Sequence, residues 1–388
     1  MRDKLKTIIK GVLISFLIVL VFEFGARLTK TVLDDVNLVK NRPFVHTPEL
    51  GWELRPNFTG SIYGKSCEVD KDGFLVEDTP QINDDKRPKV VFIGDSWTFG
   101  NKTSVRSTFV EIVDDLLPEM NVINMGIPGY SSFQGYVTIQ KRALDLNPSL
   151  IVVSFSLNDR RFVLREEDRD SLEKFEILYK VQSKQKIADY IYLFKGLNYL
   201  KEKMYPLEQI DLRTVYARVP PEAFYENLIK IAALSSEKNI PLVFLLFKDN
   251  PNAIENLLKG VMDLKNSDYD SAIANLKRAD SLENYYQPLA RKYLSEAYEK
   301  KGLMDEANDI LTMKLPFQSI HGNQVLYFTE EYNVIMRRVA EEKNLAVADP
   351  TLILDENSFL DYTHLNEQGH KQVALLLFDI ISRMFPSK

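Results

Sequence analysis

The sequence predicts a three-layer α/β/α sandwich with a five-stranded parallel sheet, α-helical insertions and an N-terminal transmembrane helix. The main observation is a series of five short apolar runs, separated by stretches with helical spacing. A continuous apolar run rich in β-branched and aromatic residues is typical of a strand buried on both faces of a parallel sheet. Strands that alternate with helices join through right-handed crossovers, which place helices on both faces of the sheet.

Composition narrows the class of protein. The 388 residues are 45% hydrophobic and 27% charged, which is ordinary for a globular protein with room for more than one domain. A net charge of −6 argues against nucleic acid as the main partner. Cys67 is the only cysteine, and the four histidines show no metal-ligand spacing. We therefore expect no metal, no cofactor and no nucleic-acid partner.

Residues 1–30 predict a membrane anchor. Four basic residues precede the uncharged run Gly11–Phe22, namely Arg2, Lys4, Lys6 and Lys10. The run is shorter than the roughly 20 residues that cross a bilayer. It approaches that length if its flanks contribute and one lysine extends its charge to the interface, which involves Ile8, Ile9, Lys10 and residues 24–28.

The charge distribution also predicts the orientation of this anchor. A basic N-terminal flank favours an N-terminus in the cytoplasm and the rest of the chain outside, across the inner membrane if the source is bacterial. A cleaved signal peptide and a plain buried helix are the alternatives. The sequence Phe24-Gly-Ala-Arg27 is a poor cleavage site and favours the uncleaved anchor.

Residues 31–88 predict an irregular or β-rich lead-in to the main domain. This segment holds five prolines among short apolar pieces such as Leu50-Gly-Trp-Glu-Leu54. Asp70-Lys-Asp-Gly-Phe74 is a turn signal between extended segments.

The main domain is predicted to span residues 89–388. Its strands are expected at Lys89–Ile93, Asn121–Asn124, Ser149–Phe155, Ile240–Phe247 and Leu345–Asp349. Its helices are expected at Thr108–Leu117, Phe133–Leu146, Phe224–Glu237, Tyr332–Glu342 and Gln368–Met384.

Two helical insertions are predicted within this domain, at residues 162–220 and 251–315. The first begins with a charged run and continues as an amphipathic helix rich in Tyr and Leu. In the second, Ala272 and Ala307 occupy matching positions 35 residues apart, which resembles a pair of tetratricopeptide repeats. Two repeats are too few to be stable alone, so the pair is expected to dock on the core or on a protein partner. A generic helical hairpin without a binding role is the alternative.

Residues suited to acyl transfer follow several of these strands. Ser96 comes directly after the first strand, where ligands of parallel sheets bind. Asp361 and His364, spaced i and i+3, allow a carboxylate to orient an imidazole. The glycine loop at 124–130 and Asn158 follow the second and third strands and could donate to an oxyanion. Each has an ordinary reading as a turn, cap or structural histidine, but their joint occurrence favours a catalytic site.

Four sequence blocks together resemble the SGNH (GDSL-like) hydrolase superfamily. The blocks are Gly94-Asp-Ser-Trp-Thr-Phe-Gly100, Asn124-Met-Gly-Ile-Pro-Gly129, Ser156-Leu-Asn-Asp159 and Asp361-Tyr-Thr-His364. The resemblance covers residues 89–162, 222–248 and 328–385, and it implies an SGNH hydrolase/flavodoxin-like fold.

The resemblance also implies a role for each site residue. Ser96 would be the nucleophile, His364 its base, and Asp361 the group that orients His364. Gly129 and Asn158, with the backbone N–H of Ser96, would form the oxyanion hole. The family's third block usually begins with glycine, so Ser156 is a departure that bears on the geometry near Asn158.

The other candidates are assigned lesser roles. Gly126 is the less favoured glycine of its loop, and His321 and His370 are expected to be structural or surface residues.

The implied function is an extracytoplasmic serine esterase acting on an ester-bearing substrate, with an acylated envelope or exported glycan as the expected class. An O-acyltransferase that modifies a cell-surface polysaccharide would use the same residues. A non-catalytic assembly module, in which the repeat-like insertion recruits a partner, is a third hypothesis.

Overall fold

The computed structural model describes residues 43–76, 86–103, 106–163, 208–282, 285–315 and 324–386, together with Ser15 and Val19. The strands are β1 (Phe44–Val45), β2 (Glu53–Leu54), β3 (Thr59–Ile62), β4 (Lys65–Glu68), β5 (Lys89–Gly94), β6 (Asn121–Gly126), β7 (Leu150–Ser154), β8 (Phe162–Val163), β9 (Glu208–Asp211), β10 (Tyr216–Ala217), β11 (Leu242–Leu245), β12 (Thr312–Leu315) and β13 (Ala346–Ala348). The helices are α1 (Ser96–Phe99), α2 (Phe109–Leu116), α3 (Ser132–Thr138), α4 (Pro221–Glu237), α5 (Pro251–Lys265), α6 (Tyr269–Ser281), α7 (Gln287–Lys300), α8 (Met304–Ile310), α9 (Thr329–Lys343) and α10 (Glu367–Met384).

The centre of the fold is the predicted five-stranded parallel sheet, which is confirmed. Its strand order is β13-β11-β7-β5-β6, and every neighbouring pair is parallel. The chain places β6 on one side of β5 and the later strands on the other. The direction of winding therefore reverses between β5 and β7, and this reversal opens a crevice at the carboxyl ends of those two strands.

Alternate residues of each strand pack against different helical layers. On one face, Val90 and Phe92 share a buried cluster with α2 and α10. On the other face, Val91 and Ile93 share a cluster with α3, α4 and α9. Because side chains alternate across a strand, a run that is apolar throughout needs helices on both faces. The predicted three layers are therefore present.

The second insertion forms two helix-turn-helix pairs, α5 with α6 and α7 with α8. Gly260 lies where a Cβ would overlap the Leu276 side chain, so α5 and α6 approach closely. Ala272 and Ala307 are both buried, each in the second helix of its pair. These helices join the same apolar cluster as one face of the sheet. The tetratricopeptide assignment stays a prediction, as does the alternative of a generic hairpin.

The first insertion differs from its predicted helix where the structure describes it. Its two ends pair with each other through β8 and β10, and β9 pairs antiparallel with β12 at the end of the second insertion. The backbone of Arg161 accepts a hydrogen bond from the Arg218 N–H (2.7 Å), so the segments entering and leaving the insertion pair with each other as strands. Residues 164–207, which carry the predicted amphipathic helix, lie outside the described residues.

The predicted membrane anchor also lies almost entirely outside the described residues. Within the part of the chain that the structure does describe, no helix combines the length and the apolar character needed to cross a bilayer.

The described part of the lead-in consists of two small antiparallel pairs, β1 with β2 and β3 with β4. A buried ion pair joins it to the main domain. Lys65 Nζ lies 2.8 Å from Glu111 Oε1, and both side chains are almost fully buried. Lys65 also donates to the Phe99 carbonyl (3.1 Å), at the end of the helix that carries Ser96.

Replacing Lys65 with methionine should lower the free energy of unfolding by about 3–5 kcal/mol, because the Glu111 carboxylate would stay buried without its partner. Chemical denaturation of the full chain measures this. The exposed Lys71, changed to methionine in the same segment, is the control. Adding Glu111→Gln to Lys65→Met should restore part of the loss, and a single-variant loss below about 1 kcal/mol would contradict the expectation.

Candidate active site

Ser96 is the first residue of α1, in a sharp turn between β5 and this short helix. The Asp95 carboxylate accepts the Trp97 N–H (2.9 Å) and so caps α1. Gly94 is required before this turn because a Cβ there would overlap the Thr98 side chain. The turn places Ser96 at the carboxyl end of β5, in the crevice beside β7.

The structure brings Ser96, His364 and Asp361 together. Ser96 Oγ lies 3.0 Å from His364 Nε2, although the two residues are 268 positions apart in the chain. His364 Nδ1 lies 3.0–3.1 Å from the two Asp361 carboxylate oxygens. Since a carboxylate only accepts hydrogen bonds, Nδ1 carries the proton and Nε2 is left as an acceptor for the Ser96 hydroxyl.

The Asp361 carboxylate is held by its own loop. Its Oδ1 accepts the backbone N–H groups of Thr363 (3.0 Å) and His364 (2.9 Å). Burial raises the pKa of Asp361, but the hydrogen bonds and charge of His364 and the hydrogen bond of Lys102 more than offset this and hold the pKa well below its usual range. Asp361 is therefore ionised at any pH at which the protein would work.

Lys102 is a site residue that the sequence analysis missed. Its Nζ donates to Asp361 Oδ2 (2.7 Å), on the side of the carboxylate away from the Thr363 N–H. Its backbone is left-handed, with φ of 64°, and its N–H donates to the Tyr63 carbonyl (3.0 Å). No motif or spacing in the sequence connects Lys102 with a position 259 residues later.

In the glycine loop, the surroundings of Gly129 suit an oxyanion donor better than those of Gly126, and the role of Gly129 stays a prediction. The Gly126 N–H donates to Asn124 Oδ1 (2.9 Å), and a Cβ at Gly126 would overlap the backbone of Phe99. Gly126 thus allows α1 to pack closely on β6. The Gly129 N–H, by contrast, has no acceptor among the described residues.

Asn158 lies next to this loop, but its amide is already engaged. Its Nδ2 donates to Asp95 Oδ2 (2.8 Å) and to the Tyr130 carbonyl (2.9 Å). Donation to an oxyanion would require Asn158 to release one of these two acceptors, so its predicted role stays a prediction. Ser156, the departure from the family pattern, is fully buried, and its Oγ has no partner within the described chain.

Trp97 joins the nucleophile turn to the base loop, and sequence reasoning also missed it. Its indole N–H donates to the Thr363 carbonyl (2.8 Å), one residue before His364. The ring is buried against Phe247, with centroids 4.3 Å apart. The distance between Ser96 and His364 is therefore fixed by their immediate neighbours as well as by their own hydrogen bond.

His370 is structural, as expected. It is almost fully buried, and its Nδ1 accepts the Phe109 N–H (3.1 Å) at the start of α2. His321 lies outside the described residues. Among the residues that the structure describes, no group of three or more His, Cys, Asp or Glu side chains could hold a metal ion.

Near the site, the pKa values of two buried groups are shifted in opposite directions. Burial lowers the pKa of His370 from 6.5 to about 3, helped by the charges of Lys65 and His364. Between these values the unfolded chain binds a proton that the folded chain does not, so stability rises with pH. Burial raises the pKa of Asp95 from 3.8 to about 6, so the folded chain holds the extra proton and stability falls with rising pH.

The variant His370→Asn should unmask the Asp95 contribution. Compared with the wild type, its free energy of unfolding should rise less, or fall more, as pH increases from 4 to 6, with a slope lower by up to about 1.4 kcal/mol per pH unit. The complementary Asp95→Asn variant should instead gain stability over that window more steeply than the wild type. Denaturant titrations at several pH values test both. Parallel pH curves for the three proteins would contradict the assignment.

Most of the main domain matches a known protein family. The family model described as the GDSL-like Lipase/Acylhydrolase family matches residues 92–372. No curated protein matches the sequence. The matched range runs from β5 into α10 and leaves out residues 43–76 of the lead-in.

Several solved structures are similar to this chain. A lipase/acylhydrolase from Enterococcus faecalis is 15% identical, with 78% of this chain and 99% of that chain covered and a TM-score of 0.40. A GDSL-like lipase from Bacteroides thetaiotaomicron is 13% identical, with 80% and 93% covered and a TM-score of 0.37. A member of the lipolytic protein G-D-S-L family from Veillonella parvula is 15% identical, with 76% and 98% covered and a TM-score of 0.36.

Proposed function

Because this chain belongs to the GDSL-like lipase/acylhydrolase family, we propose that it is a serine esterase that acts through an acyl-Ser96 intermediate. The observation that supports this most directly is the hydrogen-bonded series Ser96–His364–Asp361 at the carboxyl end of the sheet. A nucleophile, a base and a group that orients the base are the components that acyl transfer needs.

In the first half of the reaction, Ser96 Oγ attacks the ester carbonyl while His364 Nε2 takes the hydroxyl proton. The imidazolium that forms is stabilised by the Asp361 carboxylate at Nδ1. The developing oxyanion is bound by the backbone N–H groups of Ser96 and Gly129. His364 then gives its proton to the leaving alcohol as the ester C–O bond breaks, and the acyl group remains on Ser96.

In the second half, an acceptor hydroxyl removes the acyl group. If the acceptor is water, His364 takes its proton and the carboxylic acid leaves, which is esterase activity. If a sugar hydroxyl takes the place of water, the same steps give O-acyl transfer. We place hydrolysis first, since water needs no binding site of its own.

We further propose that the substrate is an acylated envelope or exported glycan, reached from outside the cytoplasm. The basic flank and apolar run at the N-terminus support an anchored, outward-facing protein. Around Asp361, the half-exposed Tyr362 ring contacts Tyr285 of the second insertion, with centroids 5.2 Å apart. Exposed aromatic rings beside a catalytic group suit the apolar faces of a sugar. The repeat-like insertion is the surface we propose for a protein partner.

The test is a covalent probe on the purified full chain. A fluorophosphonate should label Ser96, located by mass spectrometry, and should not label the Ser96→Ala variant. An acetylated oligosaccharide, supplied with and without an unacetylated acceptor, separates hydrolysis from transfer. Transfer in excess of hydrolysis would reverse our ordering. Loss of cellular function on deleting residues 251–315, but not in Ser96→Ala, would instead support the assembly module.

A further inference from the structure

Part of the lead-in lies directly against the loop that carries the Gly129 N–H. We call Leu50–Trp52 the Trp52 segment and Ile127–Tyr130 the oxyanion loop. The Tyr130 hydroxyl donates to the Trp52 carbonyl (2.6 Å), and the two rings pack edge to face with centroids 5.7 Å apart. Gln134, in the helix after the loop, donates to the Leu50 carbonyl (2.6 Å). The Trp52 segment is therefore bound to the oxyanion loop and to the helix that follows it.

The Trp52 side chain also fixes the orientation of one peptide unit in that loop. Its indole N–H donates to the Pro128 carbonyl (3.1 Å), which belongs to the same peptide unit as the Gly129 N–H. A trans peptide is planar, and its C=O and N–H point in opposite directions. The bond to Trp52 thus turns the Gly129 N–H away from Trp52, to the side on which the described residues offer it no acceptor.

Arg218 fixes the next peptide unit. Its guanidinium donates to the Gly129 carbonyl (2.6 Å) and to Gln134 Oε1 (2.7 Å), and it lies 5.6 Å from the centre of the Trp52 ring. The side chain is buried. Gly129 has a φ of 87°, and a Cβ there would lie only 3.1 Å from Trp52 Cζ2. Glycine adopts this left-handed backbone without steric cost, whereas any residue with a Cβ would be strained there and would press on the Trp52 ring.

We propose that Trp52 and Arg218 are positioning residues that orient the Gly129 N–H toward the oxyanion before the substrate binds. The proposal rests on the proposed esterase function. It makes the lead-in, which lies outside the matched family range, part of the active site. Donors that are held in place before the reaction stabilise an oxyanion without reorganising. A loop released from these two side chains would have to be ordered during each turnover.

The test compares kcat and KM of full-length variants on p-nitrophenyl acetate. Trp52→Phe keeps an aromatic ring but removes the indole N–H, while Arg218→Lys keeps a charge but loses the two-pronged contact. Each should lower kcat by about 10- to 100-fold, less than complete loss of an oxyanion donor. KM should stay within about 3-fold, because the ground-state ester makes little use of the oxyanion hole.

Glu53→Gln is the matched control. It weakens another bond between the lead-in and the domain, from Arg142 to Glu53 Oε1 (2.8 Å), one residue from Trp52, and it leaves the bonds from Trp52 and Arg218 to the oxyanion loop in place. Its kcat should stay within about 3-fold of the wild type. An equal loss in Glu53→Gln, or a Trp52→Phe variant with unchanged kcat, would overturn the proposal. A wild-type protein without Ser96-dependent turnover would instead overturn the proposed function, and this proposal with it.

Discussion

Replacing Ser96 with alanine should lower kcat on p-nitrophenyl acetate by about 10⁴- to 10⁶-fold, because no other group can form the acyl intermediate. The fold should survive the change, since Asp95 rather than Ser96 caps α1. The Ser96 hydroxyl donates its hydrogen bond to His364 and to no structural partner in the described chain. Steady-state kinetics and covalent labelling of the same sample measure the effect.

Ser154→Ala is the matched control for this variant. Ser154 is buried at the end of β7, close to the site, and its Oγ has no hydrogen-bond partner among the described residues. Its loss should leave kcat within about 3-fold of the wild type. Residual turnover above one tenth in a folded Ser96→Ala protein would exclude Ser96 as the nucleophile.

Changing Asp361 to asparagine should lower kcat by about 10³- to 10⁴-fold with little change in KM. The neutral amide cannot stabilise the imidazolium that forms when Ser96 attacks. An amide N–H aimed at His364 Nδ1 would also favour the tautomer that carries its proton on Nε2, which cannot accept the Ser96 proton. The same change leaves Lys102 Nζ without its carboxylate.

Asp355→Asn is the control, because Asp355 caps a short 3₁₀ turn six residues earlier and asparagine caps nearly as well. It should retain full activity. A Lys102→Met variant separates orientation from charge. Because more than half of the Lys102 side chain is exposed, water screens its charge, and its loss should cost only a few-fold in kcat. A loss below 10-fold in Asp361→Asn would move the orienting role to another group.

The layers of the fold could be predicted because the sequence patterns of strands and helices are set by residues close together in the chain. The five apolar runs became the five strands, and the observed ends of β7 and β11 lie within the predicted ranges. The helix expected at Phe133–Leu146 starts as α3, but its end changes to a π turn at Ile139–Ala143 and a 3₁₀ turn at Leu144–Leu146. Helical spacing identifies the buried face of such a segment and is insensitive to one extra residue in a turn.

The strands at the ends of the first insertion could not be predicted from such patterns. Phe162 and Ala217 pair as strand partners 55 positions apart, and neither lies in a run long enough to show a period of two. Their pairing depends on the insertion leaving and re-entering the fold at one place. The sequence after Phe162, a charged run followed by an amphipathic pattern, predicted only a helix.

The sequence alone determined the sheet, the position of Ser96 at the end of β5, and the residues that could serve as its base and orienting group. Only the tertiary structure showed that Lys102 also holds Asp361, that Asn158 donates to Asp95 and Tyr130, and that the lead-in contacts the oxyanion loop. The physical reason is the range of each interaction. Periodicity, turns and caps act over a few residues and leave a signal in the sequence, whereas contacts such as that of Trp52 with Pro128, 76 positions apart, exist only after the chain has packed.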